Sequence, residues 1–163
     1  MQYRIWQIPI CPVLFLVLSF LLVPVLVHGA TISITEIMYD PSGSDSNREW
    51  VEIYNGGSAG YDFSGHFFLT DGISSTKHSL APSGVSVVPP GAYAVIVQDV
   101  SAFKIDYPNY SGIIFDSSWS GLTSNSGKTL VVIDGQSAVL DQVAYNPGLG
   151  ATNDGMSLQK SAN

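Results

Sequence analysis

Thiols are nearly missing from this chain. Its 163 residues include one cysteine, Cys11, which falls inside an apolar N-terminal run. The remainder therefore has no disulfide framework, no cysteine-ligated zinc and no cysteine nucleophile, and its stability has to come from a packed core. Charge is thin as well. Charged residues make up 12% of the chain, about half the usual share, and 6 Lys+Arg against 13 Asp+Glu leave a formal net charge of −7. So few bases cannot neutralise a run of phosphates, which excludes a basic nucleic-acid footprint. Long amphipathic helical stretches, internal repeats and low-complexity linkers are absent too, and one domain is expected rather than two.

What the chain does have is apolar residues, 45% of the total, concentrated at its start. After Arg4, residues 8–27 are almost wholly apolar, Pro24 interrupts the run near its end, and the small Gly29 and Ala30 precede a polar, alternating segment. This is the layout of an N-terminal hydrophobic signal helix. Residues 1–30 are read as a secretory signal peptide, with an uncleaved anchor as the alternative, because about 20 apolar residues suffice to span a bilayer. Cys11, followed by Pro12 and further apolar sequence, is placed too early for lipidation. The protein is accordingly expected to be secreted or held at the cell envelope, exported through the general secretory route. Residues 31–163 remain, enough for one hydrophobic core.

From Thr31 onward the pattern turns period-two. Ile32 and Ile34 share a face, and Ile37 breaks the parity, which predicts a bulge near Glu36. Over residues 49–54, Val51 and Ile53 alternate against Trp50, Glu52 and Tyr54, and Asn55-Gly56-Gly57 closes the strand. Further strands are predicted over residues 67–70, 85–88 and 92–98, the last with Tyr93, Val95 and Val97 on one face. Asp99 or Ser101 caps a short helical segment carrying Phe103, and Pro108 stops it. A loop runs on through Trp119 to a strand over 129–133. There Asp134-Gly135 reads as a two-residue hairpin turn into a strand over 139–145, and the last strand covers 156–159. About nine short strands with frequent turn signals predict an all-β fold, an antiparallel β-sandwich.

Several fragments also line up with a known family. Ile34-Thr35-Glu36-Ile37-Met38, Asp40-Pro41 and the phrase from Glu49-Trp50-Val51-Glu52 to Asn55 resemble the opening of a bacterial lamin-tail domain. Phe63-Ser64-Gly65, Asp71-Gly72, Pro90-Gly91-Ala92-Tyr93 and Tyr107-Pro108 follow in the family's order. The stretch from Gly121 through Asn125, Gly127 and Leu130, with Asp141-Gln142-Val143-Ala144-Tyr145 after it, resembles the second signature. The resemblance covers nearly all of residues 31–163 and implies an immunoglobulin-like β-sandwich with structural, turn-forming roles for Asn125 and Gly127. Family members usually continue past the final strand, so a truncated C-terminal edge is part of the expectation.

Four carboxylates form the best constellation with ligand chemistry. The loop Pro41-Ser42-Gly43-Ser44 folds acidic side chains back toward the second strand, and oxygen-only ligands suit calcium. Glu36, Asp40, Asp45 and Glu49 are thus the candidate metal ligands, with calcium the one cofactor to consider, although the spacing is no EF-hand. The plainer reading has these carboxylates bonding loop amides and pairing with Arg48. Trp50 and Trp119 are the candidate binding residues, since exposed aromatics stack on sugar faces; sandwich packing is the plainer role. His66 and His78 sit in no nucleophile-elbow phrase and no metal-ligand spacing, so no catalytic residue is assigned and no enzyme is expected.

These features together point to an exported, non-catalytic module whose surface contacts another protein or an envelope polymer. A calcium-dependent binding or adhesion domain is one alternative, and an accessory domain of a larger exported enzyme is another. Nucleic acid is not an expected partner, membrane contact is expected only through an uncleaved leader, and an open edge strand would favour self-association.

Overall fold

The computed structural model describes residues 32–123 and 125–161. The leader expected over 1–30 lies outside the described residues. Alternating apolar sequence becomes strand as expected in β1 (Ile32–Met38), β2 (Trp50–Asn55) and β8 (Tyr93–Val97). The bulge is there too. Pairing of β1 with β2 steps from Ile34 opposite Ile53 to Glu36 opposite Glu52, so Thr35 is the extra residue and both Ile34 and Ile37 turn inward.

Shorter strands fill the chain between and after these. They are β3 (Tyr61–Asp62), β4 (Phe67–Leu69), β5 (His78–Ser79), β6 (Ala81–Pro82), β7 (Val87–Val88) and β9 (Ile113–Asp116). The longer β10 (Lys128–Ile133) and β11 (Val139–Tyr145) form a hairpin, and β12 (Leu158–Gln159) pairs with β1. The order β12-β1-β2-β8-β9-β6 makes a six-stranded sheet, β11-β10-β4-β5 a four-stranded one, and β3-β7 a small third. The main core lies between the two larger sheets. Ile34, Val51, Ile53, Ile96 and Phe115 from one sheet meet Phe68, Leu130 and Val132 from the other, each at most 1% exposed. Burying one such side chain is worth about 1.5–3 kcal/mol, which is how a thiol-free domain holds together.

Two expectations need correction. The sandwich is not wholly antiparallel: β8 and β9 run parallel, with Ala94 opposite Ile113 and Val97 opposite Asp116. Parallel neighbours require a crossover, and the crossover here carries the helix α1 (Val100–Asp106), capped by Asp99, whose Oδ1 accepts from Ala102 N at 2.7 Å. The segment read as a loop toward Trp119 therefore contains a buried strand. The hairpin turn also differs. It spans residues 134–138, closed by Asp134 N donating to Ala138 O at 3.0 Å, while Asp134 Oδ1 accepts from Gln136 N and Ala138 N. Ser137, at φ 70°, takes the left-handed position, not Gly135.

The outer face of the six-stranded sheet is divided. Across one part, Met38, Trp50, Val95, Val97 and Ile114 pack under Phe103 of α1 to form a second core. A helix of seven residues reaches no further, and the rest of that face stays open. Among the described residues no helix is long and apolar enough to cross a membrane.

Candidate functional site

Glu49 stands just before β2 and is 1% exposed. Its carboxylate is the anchor for the loop that follows β9. Leu122 N donates to both oxygens at 2.7 Å, Trp119 Nε1 to Oε2 at 2.8 Å and Thr123 N to Oε1 at 3.2 Å. Burial pushes this carboxyl above the usual glutamate range, against the pull of those three donors. With its lone pairs so occupied, Glu49 has little left for a metal.

Of the other expected calcium ligands, only Asp45 stays near it. Thr123 Oγ1 lies 2.9 Å from Asp45 Oδ2 and 2.8 Å from Tyr39 O, its one proton shared between these two acceptors, and Asp45 shares with Glu49, Gln98 and Trp119 a cleft of about 240 Å³. Asp40 accepts through its backbone carbonyl from Asn153 N at 3.1 Å, and Glu36 lines a different groove. The quartet does not converge. No group of three or more His, Cys, Asp or Glu side chains stands together to hold a metal among the described residues. Arg48 pairs outside the set as well: its Nε donates to Asp106 Oδ2 of α1 at 2.7 Å, and its Nη1 donates to the carbonyls of Ser42 and Ser44.

Both tryptophans are packing residues, on opposite faces of the six-stranded sheet. Trp50, 8% exposed, meets Phe103 and Tyr107 edge-on at 6.3 and 5.8 Å, and its Nε1 donates to the Tyr107 hydroxyl. Trp119, 6% exposed, lies in the main core with its ring 5.1 Å from that of Phe68. Strand parity places Trp50 on the outer face, where α1 covers it, and the Glu49 anchor holds Trp119 of the loop after β9 against the main core. His66 is spoken for, its ring nitrogens meeting the Tyr61 hydroxyl at 3.0 Å and the Ser64 carbonyl at 3.1 Å. Neither partner is a serine hydroxyl.

The accessible aromatic lies elsewhere. On the open part of the outer face Tyr93 is 51% exposed, and its ring sits 4.7 Å from that of Tyr54, directly opposite on β2. Beside them a groove of about 450 Å³ is lined by Ser33, Thr35, Glu36, Glu52, Tyr93 and Lys160, among others. Glu36 faces Glu52 across the β1–β2 pairing. Ser157 donates to Glu36, Thr35 Oγ1 donates to Glu52 Oε1 at 2.7 Å, and Lys160 Nζ is held 3.3 Å from Asp141. Burial raises the Glu52 carboxyl, the Thr35 bond opposes this, and the Glu36 charge adds to the rise. At the border with the covered part, the Tyr110 hydroxyl is pushed up to about 12, first by burial and then by the Glu52 charge. Parity already put Glu52 and Tyr54 on the face of Trp50; the missing information was how far the helix would extend over it.

Searches among curated proteins and among solved structures gave no match. The family comparison did: the lamin tail domain model matches residues 28–147, which run from just before β1 through β11 and include the Glu49 anchor and the groove's strands β1, β2 and β8. With a two-layer β fold and a match over well over half of its length, the chain belongs to the lamin tail domain family.

Proposed function

We propose that this lamin tail domain is an exported, non-catalytic module that works by surface contact with a protein or an envelope polymer, and that its contact surface is the open part of the outer face of the six-stranded sheet. One observation carries this reading: Tyr93 is half exposed, its ring against the partly buried Tyr54, on the part of the sheet face that α1 leaves uncovered and beside a groove of about 450 Å³. A large ring held on a rigid strand offers contact area at little cost in ordering, and aromatics are enriched where surfaces bind. Export rests on the apolar run over residues 8–27.

The test is binding of the full chain to immobilised envelope polysaccharides and to a panel of purified exported proteins, with wild type beside Tyr93→Ala. Binding that falls at least about tenfold in the variant supports the surface. Equal binding by both proteins moves the contact elsewhere. N-terminal sequencing of the secreted product checks export, with a start near Thr31 expected.

A further inference from the structure

We infer that the groove takes a cationic side chain, the ammonium or guanidinium of a basic segment of a partner protein laid across the open part of the sheet. This rests on the surface proposed above and adds the chemistry of its occupant. The chain carries a net charge of −7, and the groove concentrates it, because Glu36 and Glu52 oppose each other directly across β1 and β2. Like charges in that position repel. The Ser157 and Thr35 hydroxyls bond one carboxylate each but bring no charge, and Lys160 is engaged by Asp141.

The aromatic pair extends the argument along the strands. Tyr54 and Tyr93 form the cross-strand row two residues beyond Glu52, about 7 Å along β2. A lysine or arginine side chain covers that span, its stem lying on a ring while its head sits between the carboxylates. A neutral sugar ring stacks on tyrosine but leaves the two facing charges as they were. An amino sugar bears its amine on the ring itself, too short a reach to serve both features.

The experiment titrates the full chain with an oligolysine peptide, a chitosan oligosaccharide and a neutral cello-oligosaccharide. Oligolysine should bind, more weakly as salt is added, and Glu36→Gln/Glu52→Gln should lose at least about tenfold in affinity. The charge-matched Asp71→Asn/Asp154→Asn control should stay within about twofold. Circular dichroism checks each fold, and should the double variant fail to fold, Glu36→Gln alone should still lose about threefold. Equal losses in the control, or no oligolysine binding, would overturn the inference. Tighter, glutamate-dependent binding of chitosan would overturn it in favour of an amino-sugar polymer. Neutral oligosaccharide bound through Tyr93, without dependence on the glutamates, would sink the cation and leave the surface standing. If no probe binds and Tyr93→Ala also changes nothing against the immobilised panel, both fall.

Discussion

Glu49 and Glu52 lie three residues apart, one just before β2 and one within it, yet they live in opposite circumstances. Glu49 is enclosed, and its carboxylate accepts from two backbone amides and an indole N–H. Glu52 looks out over an open groove with a single hydroxyl on it and a second carboxylate across from it. Both carboxyls are raised, first of all by burial. The same direction of shift therefore has two meanings. At Glu49 desolvation is the cost of a junction that ties β2 to the loop after β9. There the charge of Asp45 adds least, after three donors that pull the other way, whereas at Glu52 the Glu36 charge is opposed by the Thr35 hydroxyl alone.

The hardest blow to this contrast is expected from Glu49→Ala. Two buried donors and one part-buried one would lose their acceptor, the buried ones at about 1–3 kcal/mol each, so the variant should lose roughly 4 kcal/mol and lie close to unfolding. Denaturant titration measures it. A loss below about 1 kcal/mol would mean that water replaces the carboxylate freely and that the junction is no anchor. Next comes Trp50→Ala, which empties the contact between β2 and α1. Truncating a buried tryptophan costs about 3–5 kcal/mol, and here the second core of the covered part would open while the groove keeps its residues. If oligolysine binding survives in Trp50→Ala under conditions where the variant stays folded, the two parts of the face are independent.

Much of this was legible beforehand, and the reasons it stopped are physical. Parity in β1 showed the strand, and the misplaced Ile37 showed the bulge; Asp99 and Ser101 were the two candidate helix caps, and the structure uses Asp99. Those signals are local. The parallel strand β9 was hidden because Ile113-Ile114-Phe115 is a three-residue apolar run between Gly112 and Asp116, with no alternation to read, and its partner β8 lies beyond a helical crossover. The role of Glu49 was hidden because its donors come from Trp119 to Thr123, more than 70 residues away for the backbone amides. Trp50 and Tyr54 share a parity and differ in what covers them, which a pattern along one strand does not record.

Tyr93→Ala should matter little to the fold. The ring contact with Tyr54 is worth about 0.5–1.5 kcal/mol, so a modest drop in melting temperature is expected alongside the large loss of binding. A drop as large as that of Trp50→Ala would make Tyr93 a core residue in disguise and remove the distinction between the covered and open parts.

The smallest effect has the most telling sign. Gln at position 49 puts an amide donor against backbone donors and should destabilise, whereas Gln at position 52 keeps the oxygen that accepts from Thr35 and removes the repulsion from Glu36. Because the folded Glu52 carboxyl is raised above its unfolded value, its contribution to stability is fully present below the ordinary glutamate range and is lost as the pH rises through the folded value. Glu52→Gln should therefore melt like wild type in acid and somewhat higher at neutral pH, by the ~0.2–1 kcal/mol of a cross-strand pair. Calorimetry across that pH range reads it. A variant that melts lower at neutral pH would make Glu52 a structural carboxylate like Glu49, whereas a gain in stability joined to a loss of cation binding is what a surface selected for contact, at some cost to the fold, should show.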